Sequence, residues 1–283
     1  MPASTANLGP GFDALGLALA LYDEIEVSRA DSGLLIEVHG QGAGQVPTGE
    51  EHLVVRALRA ACARFGHQPA GLMLRCQNSI PHSRGLGSSA AAAVAGVLAG
   101  YALAGRDPDE AALDIAAGFD GHGDNAAASL LGGLVICWQE EQRFQAVRLE
   151  PHPGLAPVLL VPERTSATDL ARGLLPAEVP HRDAAFTAGR AALLVHALTS
   201  APELLMAATE DRLHQTYRRP AYPETGRLVV ALRAAAVPAV VSGAGPAVLA
   251  LPGAPGLPAG LRTPGYTQYR LGIARQGATL CRE

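Results

Sequence analysis

Four short clusters carry the residues best suited to chemistry. Pro81-His82-Ser83-Arg84-Gly85-Leu86-Gly87-Ser88-Ser89-Ala90 is a glycine-rich loop that runs into an alanine-rich stretch. Glycines let backbone N–H groups approach an anion closely, and the first turn of a following helix adds unpaired N–H groups and the positive end of its dipole. The same residues suit two other readings. Ser88 or Ser89 can be a plain helix cap over a tight turn, and Gly87-Ser88-Ser89-Ala90-Ala91 resembles a nucleophile elbow without its last glycine. Ser242-Gly243-Ala244-Gly245-Pro246 lies between two apolar runs, and Asn7-Leu8-Gly9-Pro10-Gly11-Phe12-Asp13 places an amide and a carboxylate on a loop shaped by Gly and Pro. Three such loops, the middle one feeding a helix, favour one composite nucleotide site over three ordinary turns. The last cluster, Asp120-Gly121-His122-Gly123-Asp124-Asn125, offers carboxylate oxygens to a hard divalent cation or forms a polar turn.

Composition narrows the choice. All 22 basic residues among the 283 are arginine, so no lysine exists to serve a Walker-A loop, a protein-kinase strand or a Schiff base. Codon bias alone can produce that swap, but the exclusions hold whatever its cause. With 48% hydrophobic and 17% charged residues and a net charge of −4, the chain reads as globular, and it has no basic cluster for nucleic acid. The longest apolar run, Ala90 to Gly105, is too short and too rich in Ala and Gly for a membrane span. No basic segment precedes an apolar one at the N-terminus, and Cys62, Cys76, Cys137 and Cys281 form no CxxC pair. A cytoplasmic protein with reduced thiols is expected.

The positioning elements follow from periodicity. Pro2 to Gly11 reads as a loop, Leu15 to Val27 as an apolar strand interrupted at Tyr22-Asp23-Glu24, and Leu34 to Val38 and Leu72 to Cys76 as strands. Helical spacing marks His52 to Phe65, Ala90 to Leu103 and a segment from Asp107-Pro108 to Ala117; Leu134 to Trp138 is a strand. Prolines and glycines crowd Glu150 to Pro162, which puts a domain boundary near residue 150. Beyond it, helices are expected at Ala184 to Leu198, Pro202 to Leu213 and Pro223 to Ala236, and strands at Ala239 to Val241 and Ala247 to Leu251, with Tyr269 to Leu280 closing a sheet.

Taken together, the motifs resemble one family. Pro2 to Gly16 is similar to the first motif of the homoserine kinases, a branch of the GHMP small-molecule kinases; Gly85 to Ala92 and Ser242 to Pro246 resemble that superfamily's second and third motifs. Gly121 to Asn125 with Gly132-Gly133, Thr168 to Arg172 with Leu175-Pro176, and Asp211 to Gln215 with Tyr217-Arg218 carry the likeness through the chain in order. The resemblance implies a two-domain α+β fold, with an ATP-binding α+β domain over 1–150 and a ferredoxin-like α+β domain over 151–283. It implies transfer of the ATP γ-phosphoryl group to the side-chain hydroxyl of L-homoserine, giving O-phospho-L-homoserine for threonine biosynthesis, with ATP as co-substrate and Mg²⁺ as cofactor. Partners are then small molecules, neither nucleic acid nor membrane, and a homodimer is compatible.

Residue by residue, the resemblance gives Pro81, Arg84, Gly85, Leu86, Gly87, Ser88, Ser89, Gly243 and Gly245 to ATP, and Ser89 and Asp120 to the metal. Asn7, Asp13, Arg172 and Arg218 would hold the amino acid, with Arg218 the weaker candidate, and Thr168, Arg172 and Asn125 would act in catalysis. The chemistry agrees: a carboxylate suits an α-ammonium, and a planar guanidinium fork suits an α-carboxylate. Several positions depart from the family. Asp120 stands where a glutamate metal ligand is usual, Gly123 replaces a proline, and Thr187 an asparagine. Thr168 occupies the place of the mevalonate branch's aspartate, so orientation rather than a general base is expected to drive transfer. The usual first edge strand is expected to be shortened or missing.

Overall fold

The computed structural model describes residues 1–163, 171–253 and 256–281. Three sheets organise it. The first has the order β1-β2-β6-β7, all antiparallel, built from β1 (Pro2–Ala6), β2 (Leu15–Tyr22), β6 (Leu134–Glu140) and β7 (Arg143–Leu149). The second, β3-β5-β4, joins β3 (Glu24–Ala30) antiparallel and β4 (Gly33–Gly40) parallel to β5 (Gly71–Asn78). The third, β11-β8-β10-β9, is antiparallel and comprises β8 (Val158–Pro162), β9 (Ala239–Val241), β10 (Val248–Ala250) and β11 (Tyr266–Arg270).

Helices α1 (Leu53–Arg64), α2 (Ser88–Leu103), α3 (Ala111–Ala117) and α4 (Asp124–Leu131) accompany the first two sheets. Strand β2 is buried on both faces. Leu15, Leu17 and Leu19 share a core with Leu159, Leu194 and Leu249 from beyond residue 150, while Ala18 packs with Val94, Val97 and Ala127 of the helices. Small residues let α1 and α2 lie close: a Cβ on Gly96 would meet the Val54 carbonyl at 2.2 Å, and one on Gly100 the Leu58 carbonyl at 2.6 Å. Helices α5 (His181–Thr199), α6 (Leu205–Ala208), α7 (Gln215–Arg218) and α8 (Pro223–Ala234) belong with the third sheet, where Leu228 and Leu232 of α8 pack on Val158, Leu160 and Val248.

Several segments differ from the sequence reading, each for a physical reason. Pro2–Ala6 is a strand rather than part of a loop; its small polar side chains are fully buried because other loops take up their hydroxyls, so polarity masked the strand. An edge strand of five residues is therefore present at this end of the sheet, as β1. The apolar run from Leu15 breaks into two strands at Asp23, whose buried carboxylate accepts the N–H groups of Ser79 and Ile80. Strand β7 was hidden by polar residues and by a hairpin whose turn residues, Glu141 and Gln142, adopt positive φ (47° and 66°) without the usual Asn-Gly. Pro202 to Leu213 is not one helix: after α6 the chain turns, and Asp211 caps the N–H groups of Leu213, His214 and Gln215. Beyond β11 the tail leaves the third sheet. Ile273 bridges to Leu19, and Ala274 and Ala278 bond to β2 and α4.

Candidate active site

The three small-residue loops meet. Ser242 Oγ donates to the Gly85 carbonyl at 2.6 Å and lies 2.8 Å from Thr5 Oγ1. Asn7 Nδ2 donates to the Gly243 carbonyl at 2.8 Å, Gly243 N–H to the Ala6 carbonyl at 3.1 Å, and Ser4 N–H to the Leu86 carbonyl at 3.0 Å. The approach is close enough to demand glycine. Gly85 has φ +77° and a Cβ there would stand 2.1 Å from the Ser242 carbonyl; Gly87 has φ +66° and its Cβ would fall 2.0 Å from Ser4 Oγ. Gly245 is likewise pressed against the Tyr222 ring, 2.8 Å from where its Cβ would lie.

Gly87 caps α2, whose 16 residues begin at Ser88. The N-terminal N–H groups have no side-chain cap and no acidic residue in the first turn, which leaves them and the dipole's positive end free for an anion. Not every side chain of the loop is available. Pro81 and Leu86 are buried, Leu86 within the main core, and they shape the loop from beneath. Arg84 donates to the carbonyls of Pro162, His82 and Glu163, which ties the loop to the end of β8 and occupies its guanidinium.

Ser89 and Asp120, far apart in sequence, are brought together: Ser89 Oγ donates to Asp120 Oδ2 at 2.7 Å. Among the described residues no cluster of three or more His, Cys, Asp or Glu forms a metal cage. A hydroxyl and one carboxylate beside an uncapped helix N-terminus nevertheless fit the oxygen donor set of Mg²⁺, which keeps several waters and takes further oxygens from phosphates. Asp120 thus fits in place of glutamate. At Gly123 the neighbouring side chains have closed over the glycine: a Cβ would meet Cys137 Sγ at 2.4 Å and the Phe144 ring at 2.6 Å unless they shifted.

A second half of the site is made of side chains. Arg172 Nη2 donates to Asp13 Oδ1 at 2.7 Å, both groups partly exposed. Phe12 stacks on His214 at 4.9 Å between centroids, and the guanidinium carbons of Arg172 and Arg218 lie 5.5 and 5.0 Å from its ring. Arg218 is 1% exposed, and its Nε and Nη1 have no hydrogen-bond partner. Burial lowers its pKa, and the nearby charge of Arg172 lowers it further. His214, also buried and held neutral by desolvation, donates from Nε2 to the Gly9 carbonyl at 2.7 Å. The Tyr222 hydroxyl is buried without a partner, and burial pushes it up to about 12. A buried cation with two orphan donors beside a carboxylate can receive the two charges of a zwitterion.

Asn7 plays a different part from Asp13. Its Oδ1 accepts the Asp13 N–H at 2.9 Å while its Nδ2 reaches Gly243, so its amide joins two loops. Asn7 and Asp13 themselves hold φ of 67° and 55°. Asn125 follows Asp124 at the start of α4, and its Oδ1 accepts the Ser4 hydroxyl at 2.9 Å. Asp124 is 2% exposed, and desolvation pushes its carboxyl up to about 7 against the opposing pull of the Asn125 N–H. Thr168 lies outside the described residues. Sequence reasoning did not single out Phe12, Asp124, His214 or Tyr222; Phe12, Asp124 and His214 sit inside quoted motifs, which was the signal available, whereas Tyr222 had none.

Comparison with known proteins gives the same family throughout. The model of the GHMP kinases N terminal domain matches residues 52–133. The homoserine kinase of Streptomyces coelicolor is 53% identical over 286 residues, covering 99% of this chain and 93% of that protein. That of Rhodococcus erythropolis is 54% identical, covering 89% and 84%. Among solved structures, the homoserine kinase from Cytophaga hutchinsonii superposes with a TM-score of 0.84 at 25% identity over 98% of this chain and 94% of that one. L. major mevalonate kinase, at 14% identity and a TM-score of 0.66 over 98% of this chain and 95% of its own, shares the fold. On these similarities the chain belongs to the homoserine kinase family, within the GHMP kinases.

Proposed function

We propose that the chain phosphorylates the side-chain hydroxyl of L-homoserine with ATP, releasing ADP and O-phospho-L-homoserine. The observation that carries the substrate class is Arg218, a buried guanidinium with two unpartnered nitrogens beside the Asp13–Arg172 pair. Such a site holds an amino-acid carboxylate on the arginines and its ammonium on Asp13. An alcohol without that pair of charges would leave Arg218 unpaired, which is costly for a buried cation. The phosphates of ATP are received by backbone N–H groups of Gly85 to Ser89 and the N-terminus of α2, so the absence of lysine is no obstacle.

Ser89 and Asp120 would hold Mg²⁺, which when bound neutralises charge on the phosphate oxygens. The acceptor hydroxyl is oriented by Asn125, whose amide oxygen accepts its hydrogen and leaves a lone pair for in-line attack on the γ-phosphorus. Phosphoryl transfer through a loose transition state asks for alignment and charge neutralisation more than for a base. Coupled ADP release across homoserine, threonine, serine and mevalonate tests the reading. Homoserine is expected to give the highest kcat/KM, and a faster reaction with mevalonate, which has no ammonium, would reject it.

A further inference from the structure

The amide of Asn125 is held from both ends. Its Oδ1 accepts the Ser4 hydroxyl at 2.9 Å, and its Nδ2 faces Asp124 Oδ1 at 3.4 Å, an oxygen that also accepts the Asn125 N–H at 2.7 Å. Because Asp124 Oδ1 already accepts the Asn125 N–H, it is an acceptor whether or not the other carboxyl oxygen carries a proton, so the amide nitrogen turns toward it and the amide oxygen away. That oxygen lies beside the phosphate loop: a Cβ on Gly87 would stand 3.0 Å from Asn125 Oδ1. Asp124 has little freedom of its own. It is 2% exposed, and β2 presses on its backbone so closely that a Cβ on Gly16 would meet its carbonyl at 2.4 Å.

We propose that Asp124 is a positioning residue whose carboxylate fixes the orientation of the Asn125 amide, so that Oδ1 rather than Nδ2 is presented to the acceptor hydroxyl beside α2. The inference rests on Asn125 as the residue that receives that hydroxyl. Without the carboxylate the amide can turn over. An N–H then points at the hydroxyl oxygen and engages the lone pair that should attack phosphorus. Asparagine at position 124 retains an acceptor, because the Asn125 N–H draws its carbonyl oxygen into the place of Oδ1.

Asp124→Ala is expected to lower kcat about tenfold to a hundredfold with KM for ATP within about twofold, as expected for a misplaced reacting group, while Asp124→Asn stays within about threefold of wild type. In an Asn125→Ala background, Asp124→Ala should add less than about twofold. Full additivity, or Asp124→Asn as slow as Asp124→Ala, overturns the proposal. If Asn125→Ala alone leaves kcat unchanged, the reading of Asn125 fails. The orientation of its amide is then judged directly by the side-chain ¹H–¹⁵N resonances of Asn125 in ¹⁵N-asparagine-labelled protein. They should match in wild type and Asp124→Asn and move or broaden in Asp124→Ala; an unmoved pair in Asp124→Ala overturns the positioning role. Asp124→Asn serves in the same experiments as the folded reference, should the alanine variant unfold.

Discussion

The two halves of the proposed site, one for the nucleotide and one for the amino acid, are built from different materials. The nucleotide half is backbone: glycines at 85 and 87, the open N-terminus of α2, and carbonyls locked by Ser242 and Asn7. The amino-acid half is side chain: Asp13, Arg172 and Arg218 gathered around Phe12 and backed by His214. A backbone cradle has no charge to bury, and its central loop is written in consecutive residues even though Ser242 and Asn7 brace it from afar. A charged pocket places a desolvated cation in the protein before its ligand arrives, and its parts come from distant segments. On the proposed function the first half would bind by shape and dipole, the second by charge at some cost to the empty fold.

This contrast can be broken from either side. The largest effect is expected for Arg218→Met, which should cut kcat/KM for homoserine about a thousandfold through loss of a charge-assisted contact, yet raise the thermal midpoint of the unliganded protein. Steady-state kinetics and calorimetry on the same sample check both signs; a lowered midpoint would mean that Arg218 is paired in the empty protein. Next, Gly85→Ala forces a methyl into the Ser242 carbonyl at positive φ and should weaken ATP binding about a hundredfold, with homoserine affinity nearly kept. Equal losses for both ligands, measured by titration calorimetry, would erase the distinction between the halves.

Asp124 gives a pH signature. Burial pushes its carboxyl up to about 7 from the ordinary aspartate value of 3.8, so its contribution to stability is complete below the lower value and is lost as pH rises through the upper one. Between pH 5 and 8, wild type should lose about 2 kcal/mol relative to Asp124→Asn in urea unfolding. Parallel stability curves would show that the carboxylate ionises freely. The smallest effect belongs to Asp120→Ala, expected to raise the Mg²⁺ concentration for half-maximal activity about tenfold, because phosphates and water supply most of the coordination. An unchanged Mg²⁺ dependence removes Asp120 from the metal site.

Much of the nucleotide half was legible because glycine spacing and an alanine-rich helix are local signals. Gly85, Gly87, Ser88 and Ser89 lie where their types imply, at a loop closing onto α2. Arg84 shows the limit of that legibility. The resemblance gives it to ATP, and no local signal foretells that its guanidinium is engaged by three backbone carbonyls. On the other side, the sequence reading ranked Arg218 below Arg172, although Arg218 is the one buried with open donors. Arg172 is partly exposed and paired with Asp13, and nothing in their neighbours along the chain foretells that difference.

The sequence by itself determined the loops, the absence of lysine and the residue types on which the proposal of a backbone-held phosphate and an amino-acid pocket rests. Tertiary structure decided which of them meet. Ser4 reaches Asn125 across 121 positions, Asp13 reaches Arg172 across 159, and Asn7 reaches Gly243 across 236. Local conformational preference is encoded within a few residues, whereas desolvation and charge pairing depend on what the packed core brings near. The orphan nitrogens of Arg218 and the raised carboxyl of Asp124 exist only once that core has closed.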